Sequence, residues 1–274
     1  MMQLSKLHAT GNDFLVTADP VTPARAIALC DRHRGIGADG LIALGPGSGG
    51  ADCTMTLYNA DGGLAEMSGN GIRCLAWFAH RRGLGDGMLL VVDTGSGRRD
   101  VELVIDGVSG AVVAATVDMG PVTFEPAAIP LEATSPFDIE AEFHGTIYRG
   151  DAAGMGNPHL VLLVDDPDSA RVTQHGPRLE HDVRFPNRTN VEFVAPTHGE
   201  VDALTVRTWE RGVGETLSCG TGACAAAAVA RRRNLVGTRV TVHERGGDLT
   251  VELGDTIRLG GPVVPVFDVE LEIP

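Results

Sequence analysis

The feature that most constrains this chain is a repeat. Residues 68–84 read SGNGIRCLAWFAHRRGL and residues 219–235 read CGTGACAAAAVARRRNL, each position matched 151 places further on with no gap. Gly69, Gly71, Ala76, Ala79, Arg81, Arg82 and Leu84 recur as Gly220, Gly222, Ala227, Ala230, Arg232, Arg233 and Leu235. At the same offset Asn59 aligns with Glu210 and Gly63 with Gly214. A weaker pair, Gly11-Asn12 and Gly156-Asn157, precedes an apolar run in each half. Two copies of one plan predict two homologous domains, and 274 residues are enough to give each its own core.

Each copy joins a glycine loop to an apolar helix. Gly220 and Gly222 let the backbone turn tightly and approach a ligand. The run at 223–233 has high helix propensity, and Arg231, Arg232 and Arg233 suit a helix C-terminus. Cys219 is thereby placed at a helix N-terminus, where free N–H groups and the dipole favour an anion. This predicts a thiol of lowered pKa that reacts as thiolate, with a carboxylate site beside it. A single cysteine at a helix start is more often a small buried side chain. The flanking glycines, the adjacent Glu210-Arg211 and the second copy at Ser68 favour chemistry here.

Apolar and alternating segments between glycine turns predict strands over 1–7, 14–17, 41–44, 53–59, 88–94, 99–105, 111–119, 144–149, 160–164, 190–194 and 204–210. Further strands are expected near 239–243, 249–253, 256–259 and 263–271. Helical spacing appears at 23–32 and 168–179, and the helices at 72–82 and 223–231 lack a polar face, which predicts that both are buried. The proline-rich stretch 121–136 reads as a junction. The expected fold is α+β: two pseudo-symmetric domains, each a curved mixed or antiparallel, barrel-like sheet wrapped around a central helix. The domains are expected at 1–117 and 118–262, with the tail 263–274 crossing back to the first.

Composition narrows the function. A net charge of −14 with no basic stripe argues against nucleic acid. No run is long enough for a membrane span, and the first residues lack a signal-peptide core. Five cysteines without metal-ligand spacing fit free thiols in a reducing cytoplasm and no metal site. Of 22 basic residues only Lys6 is a lysine, and it falls in the opening strand, which disfavours a pyridoxal-phosphate Schiff base. No Walker A sequence occurs, nor a GxGxxG between a strand and a helix, so no cofactor is expected.

The motifs HATGNDF, NADGGLAEMSGNGIRC, GNPH, NVEFV and ERGVGETLSCGTGAC occur in this order over the whole chain, and together they resemble diaminopimelate epimerase. The resemblance implies a cofactor-free isomerase that interconverts LL- and meso-diaminopimelate for lysine and peptidoglycan synthesis. It implies two domains closing on the substrate, two catalytic thiols on opposite faces of the α-carbon, and a homodimer. Residue by residue it makes Cys219 one acid/base and His159 a residue assisting the thiols. It assigns Gly69, Asn70, Gly220 and Thr221 to the reacting carboxylate, and Asn12, Asn59, Asn157, Asn190, Glu210 and Arg211 to the rest of the substrate. Glu210 would take the distal ammonium or act on the thiol, and Arg211 would pair with the distal carboxylate.

The chemistry is consistent with that scheme. Inverting a stereocentre by proton transfer needs an acid and a base on opposite faces, and two equivalent loops supply one each. Helix N-termini stabilise a developing carbanion. The sequence departs from the family pattern at Ser68, where the second catalytic cysteine is expected; a hydroxyl is a far weaker acid, and Cys74 lies in the following helix. It departs again at Phe267, where a tyrosine is common near the dimer contact, and at Gly40, the place of a substrate-contacting glutamine. Other readings are a related racemase or dehydratase acting on another amino acid, and a non-catalytic amino-acid binder.

Overall fold

In the computed structural model every residue is described except Glu66, His144, Ile273 and Pro274. The chain divides into two units, Met1–Asp118 with Gly260–Pro274, and Met119–Leu259.

The first unit opens with β1 (Met2–Ala9), which alternates buried and exposed side chains over its first residues. It pairs antiparallel with β2 (Asn12–Thr17) across a turn at Thr10 and Gly11, both at positive φ, 49° and 82°. Helix α1 (Pro23–Cys30) starts where Thr22 caps Arg25 N–H and Pro23 takes the first helical position. It ends two residues before the expected 32, because Asp31 Oδ1 accepts the N–H groups of His33 and Arg34 and turns the chain out. Then come β3 (Gly40–Pro46), β4 (Cys53–Asn59), the short β5 (Leu64–Ala65) and helix α2 (Gly69–His80). The unit continues with β6 (Leu89–Thr94), β7 (Gly97–Ile105) and β8 (Val112–Asp118).

The second unit begins with β9 (Ile139–Phe143), β10 (Thr146–Gly154) and β11 (Pro158–Leu163). Helix α3 (Val172–Glu180), β12 (Asn190–Pro196), β13 (Ala203–Glu210), the short β14 (Gly214–Thr216) and helix α4 (Gly220–Arg232) follow. It closes with β15 (Arg239–Glu244) and β16 (Gly247–Leu253), and β17 (Ile257–Pro262) leads back to β18 (Val264–Leu271) in the first unit. The strand expected at 144–149 runs on to Gly154; its His144 lies outside the described residues. It extends because Gly150, lacking a Cβ, lets the backbone close against Val161. The helix expected at 168–179 begins only at Val172, because the carbonyls of Pro167, Asp168 and Ala170 are turned onto the buried guanidinium of Arg207.

The two units share one pairing plan. In the first, β1–β2 is antiparallel, β2–β3 parallel, β3–β4 and β4–β5 antiparallel, β4–β6 parallel, and β6–β7 antiparallel. In the second, β10–β11, β11–β12, β12–β13, β13–β14, β13–β15 and β15–β16 repeat those six relations in order. One outer strand completes each: β18 lies antiparallel on β1, and β9 antiparallel on β10. Within its unit, α2 packs against β1, β2, β3, β4, β7 and β8, and α4 against β10, β11, β12, β13, β15 and β16. Both helices are buried on nearly every face until the last turn, as their lack of a polar stripe requires.

Candidate active site

Each unit presents its glycine loop at the N-terminus of its central helix, immediately after the short hairpin strand. Ser68 and Cys219 are the N-cap residues, with φ/ψ of −144°/120° and −127°/105°. Gly69 and Gly220 are the first residues of the helices and are buried. The caps differ in chemistry. Ser68 Oγ accepts the N–H of Gly71 at 3.0 Å, an ordinary serine cap. Cys219 makes no such bond, and its sulfur lies 3.6 Å from Thr221 Oγ1.

In the first unit a directed hydrogen-bond chain runs away from the loop. Arg73, fully buried, donates to Asn70 Oδ1 at 2.7 Å. Asn70 Nδ2 donates to Asn12 Oδ1 at 3.2 Å, and Asn12 Nδ2 donates to Asp39 Oδ2 at 2.6 Å. A guanidinium only donates and an ionised carboxylate only accepts, so the two ends fix the orientation of both amides between them. Asp13 braces the far end through Lys6 and Arg32. Burial alone would raise the Asp13 carboxyl, but those two cations overcome it and hold it at about 2. Asn59 stands exposed at the end of β4, where its backbone closes the turn with Gly62 and Gly63. Gly40 lies opposite it across the β3–β4 ladder, where a Cβ would come within 2.9 Å of Tyr58 O, so no side chain replaces the expected glutamine without displacing β4.

The second unit gathers more of the expected residues. His159 is fully buried, with Nδ1 2.7 Å from Glu192 Oε1 and Nε2 2.9 Å from Asn157 Oδ1. Asn157 Nδ2 reaches Thr221 Oγ1 at 3.4 Å, which links this group to Cys219. Asn190 lies beside His159 in the parallel β11–β12 ladder, donates to Pro158 O at 2.9 Å and accepts the Arg211 N–H at 2.9 Å. Glu210 accepts from Thr216 Oγ1 at 2.6 Å, while the Arg211 guanidinium rests on Asn187 O.

Three acidic residues of this region carried no sequence signal that singled them out. Glu192 is the one charged side chain inside the apolar NVEFV strand, and that contrast is the only hint of it. Glu244, far along the chain, accepts the Cys219 N–H and the Ser218 hydroxyl and so fixes the loop before α4. Glu180 ends α3 and takes Trp209 Nε1 at 2.8 Å, Gly212 N–H at 2.9 Å and Arg188 at 3.1 Å, which clamps the β13–β14 turn bearing Glu210 and Arg211.

The expected acidic thiol is corrected by this surrounding. Burial pushes the Cys219 thiol well above the ordinary range, and Glu210, Glu192 and Glu244 push it further; only the Thr221 hydroxyl works the other way. The field of the helix N-terminus, which the sequence made prominent, acts here on a dry sulfur facing three carboxylates. Burial and the three carboxylates therefore favour the neutral thiol over the thiolate at Cys219. Cys74 is likewise buried and raised to about 12, chiefly by burial.

Comparison with solved structures identifies the fold. A hydroxyproline epimerase from Agrobacterium vitis superposes with a TM-score of 0.76 at 17% identity, over 98% of this chain and 91% of that one. A probable proline racemase from Agrobacterium radiobacter K84 gives 0.77 at 15% identity, over 100% of this chain and 94% of that one. The chain thus has the α+β fold of these amino-acid racemases and epimerases. The diaminopimelate epimerase family profile matches residues 4–125 and 152–261. The diaminopimelate epimerase of Moorella thermoacetica is 42% identical over 278 residues, covering 97% of this chain and 98% of that protein. That of Pelotomaculum thermopropionicum is 40% identical over 280 residues, covering 98% of each. The chain belongs to the diaminopimelate epimerase family.

Proposed function

We propose that this protein is an isomerase that interconverts LL- and meso-diaminopimelate without a cofactor, in the route to lysine and peptidoglycan. Membership of the family over the whole chain supports the reaction. The observation that carries the assignment of roles is the cluster around Cys219: a buried thiol at a helix N-terminus, tied through Thr221 and Asn157 to His159 and surrounded by carboxylates. Cys219 exchanges the α-proton on one face: once substrate is bound the thiol gives up its proton to solvent, the thiolate takes the α-proton, and a proton from solvent is returned on the same face. The N–H groups at the start of α4 and α2, with Asn70 and Thr221, receive the reacting carboxylate. Asn12, Asn59, Asn157, Asn190, Glu210 and Arg211 bind the remainder, Arg211 through the distal carboxylate. Ser68 occupies the place of the second acid/base. Its hydroxyl stays protonated near neutrality, so exchange at the Cys219 face outruns inversion.

The enzyme acts in the cytoplasm as a homodimer, and the exposed Val264, Val266 and Phe267 on β18 support an interface on that strand. Among the described residues no helix is long and apolar enough to cross a membrane.

The test incubates each pure isomer in heavy water with the protein and with its Cys219→Ala variant. Incorporation of deuterium at the α-carbon of one isomer, lost in the variant, is the expected result. Exchange that survives Cys219→Ala removes Cys219 from the chemistry, and no exchange with either isomer removes the reaction.

A further inference from the structure

Glu192 is the anomaly of the second unit. It lies in β12, where every residue but the last is buried, and its side chain is 0% exposed. One oxygen meets His159 Nδ1; the other, Oε2, has no hydrogen-bond partner among the described residues. A buried carboxylate oxygen left bare is costly, and such a group calls for an explanation. The oxygen that holds His159 also lies beside the loop of Cys219. A Cβ on Gly222 would fall 2.8 Å from Glu192 Oε1 and 3.2 Å from Cys219 Sγ. Carboxylate and sulfur thus flank the same bare backbone position in the first turn of α4, and any side chain there would displace one of them.

We propose that Glu192 is a positioning residue for the thiol chemistry: it sets the ring of His159 through Nδ1 and, across Gly222, keeps the proton on the Cys219 sulfur until a cationic group of the ligand offsets its charge. The inference rests on reading Cys219 as the acid/base. The groups that face Cys219 come from several elements: Glu192 from β12, Glu210 from β13, Glu244 from β15 and Thr221 from α4 itself, with His159 of β11 joined through Glu192 and Asn157. Glu210 is dressed by the Thr216 hydroxyl, and Glu244 by the Ser218 hydroxyl and the Cys219 N–H. Glu210 acts on the sulfur more strongly, but Glu192 is fully buried and keeps one oxygen undressed, so neither water nor a second donor offsets its charge. An amino-acid ligand brings an α-ammonium, which answers that charge and lets the sulfur ionise only when there is a proton to take. Without that ammonium the thiol stays neutral and resists alkylation and oxidation.

The full ligand-free chain is treated with iodoacetamide from about pH 7 to about pH 11, a span that brackets thiol ionisation. The label on Cys219 is located by peptide mapping. In the native chain the labelling midpoint lies above the ordinary thiol value of about 8.5. Glu192→Gln lowers it by about one pH unit. At a pH below both midpoints this means about tenfold more thiolate, and the lower nucleophilicity of the weaker base reduces the gain to about threefold faster labelling. Glu192→Asp keeps the charge while shortening the arm that reaches His159, and its midpoint stays near the native one. A loss of packing would move both variants alike. The inference is overturned by a native midpoint at or below the ordinary value, a figure that needs no variant to fold. It is equally overturned if Glu192→Gln leaves the midpoint in place or Glu192→Asp shifts it as far. Deuterium exchange by Cys219→Ala reports separately on the role of Cys219, so the two readings fail by different measurements.

Discussion

Ser68→Cys is the substitution whose outcome says most about this site. The backbone that holds a thiol at 219 is repeated at 68, with N-cap angles of −127°/105° and −144°/120°. The clearance is repeated too: a Cβ on Gly71 would lie 3.3 Å from Ser68 Oγ, as one on Gly222 would lie 3.2 Å from Cys219 Sγ. Sulfur therefore fits at 68 without rebuilding the loop. Two effects follow, of opposite sign. The serine cap on Gly71 is lost, which costs about 1 kcal/mol. For a chain of this size that lowers Tm by roughly 2–4 °C. In return a positioned thiol supplies the missing acid/base, worth about 10²–10⁴ in rate. We expect the variant to melt slightly lower and to invert LL-diaminopimelate about 10²–10⁴ times faster. The assay follows each pure isomer in heavy water, with chiral separation for inversion and mass spectrometry for exchange. In the native chain exchange from one isomer precedes inversion; in Ser68→Cys the two rates converge. If the native chain already inverts as fast as the cysteine form, the argument that this reaction needs a thiol on each face is wrong for this protein.

Glu180→Gln replaces one acceptor oxygen with a donor that must face Trp209 Nε1–H or Gly212 N–H, so the turn carrying Arg211 shifts. Titration calorimetry should show diaminopimelate binding roughly tenfold or more weaker, the usual effect of leaving a buried donor unpaired. In an Arg211→Ala background the same change should have little further effect, and additive losses would show that Glu180 does not act through Arg211. Stability should also fall at alkaline pH. Burial, with nearby carboxylates adding to it, raises Cys30 to about 11 and Cys53 to about 12, and burial raises Cys74 to about 12. Above the unfolded thiol value of about 8.5 the unfolded chain loses protons that the native chain keeps, so stability decreases with rising pH, by up to about 1.4 kcal/mol per unit for each thiol. Urea unfolding at about pH 8 and about pH 10 checks this, and an unchanged midpoint would mean that these thiols are not the buried groups described.

The repeat made the architecture legible because the features it preserves, glycines before a helix and small residues within it, are those that burial of a central helix demands. Helix ends are less legible where side chains far away decide them: Arg207 gathers the carbonyls ahead of α3, and no local pattern announces that. The strands β5 and β14 are too short for periodicity to register. At the site, the loops could be read because glycine, asparagine and cysteine stand together in the sequence. The state of the thiol could not. It depends first on burial of the sulfur and then on Glu210, Glu192 and Glu244, delivered from three strands, and a helix N-terminus predicts the opposite direction until that burial and those carboxylates are placed.

The strand β18 has a consequence for how the protein comes into being. Its partner is β1, and the Ser5–Asp268 hydrogen bond spans 263 residues of chain. The second unit takes its corresponding outer strand, β9, from the residues just before β10. On a ribosome the second unit can therefore mature in one pass, while the first, although made earlier, waits for residues 264–271 with the outer edge of β1 unpaired. An open strand edge is a template for foreign chains. The half of the protein that is synthesised first is thus the half that finishes last, and a nascent chain stalled before residue 264 would have β1 free to pair with whatever strand is near.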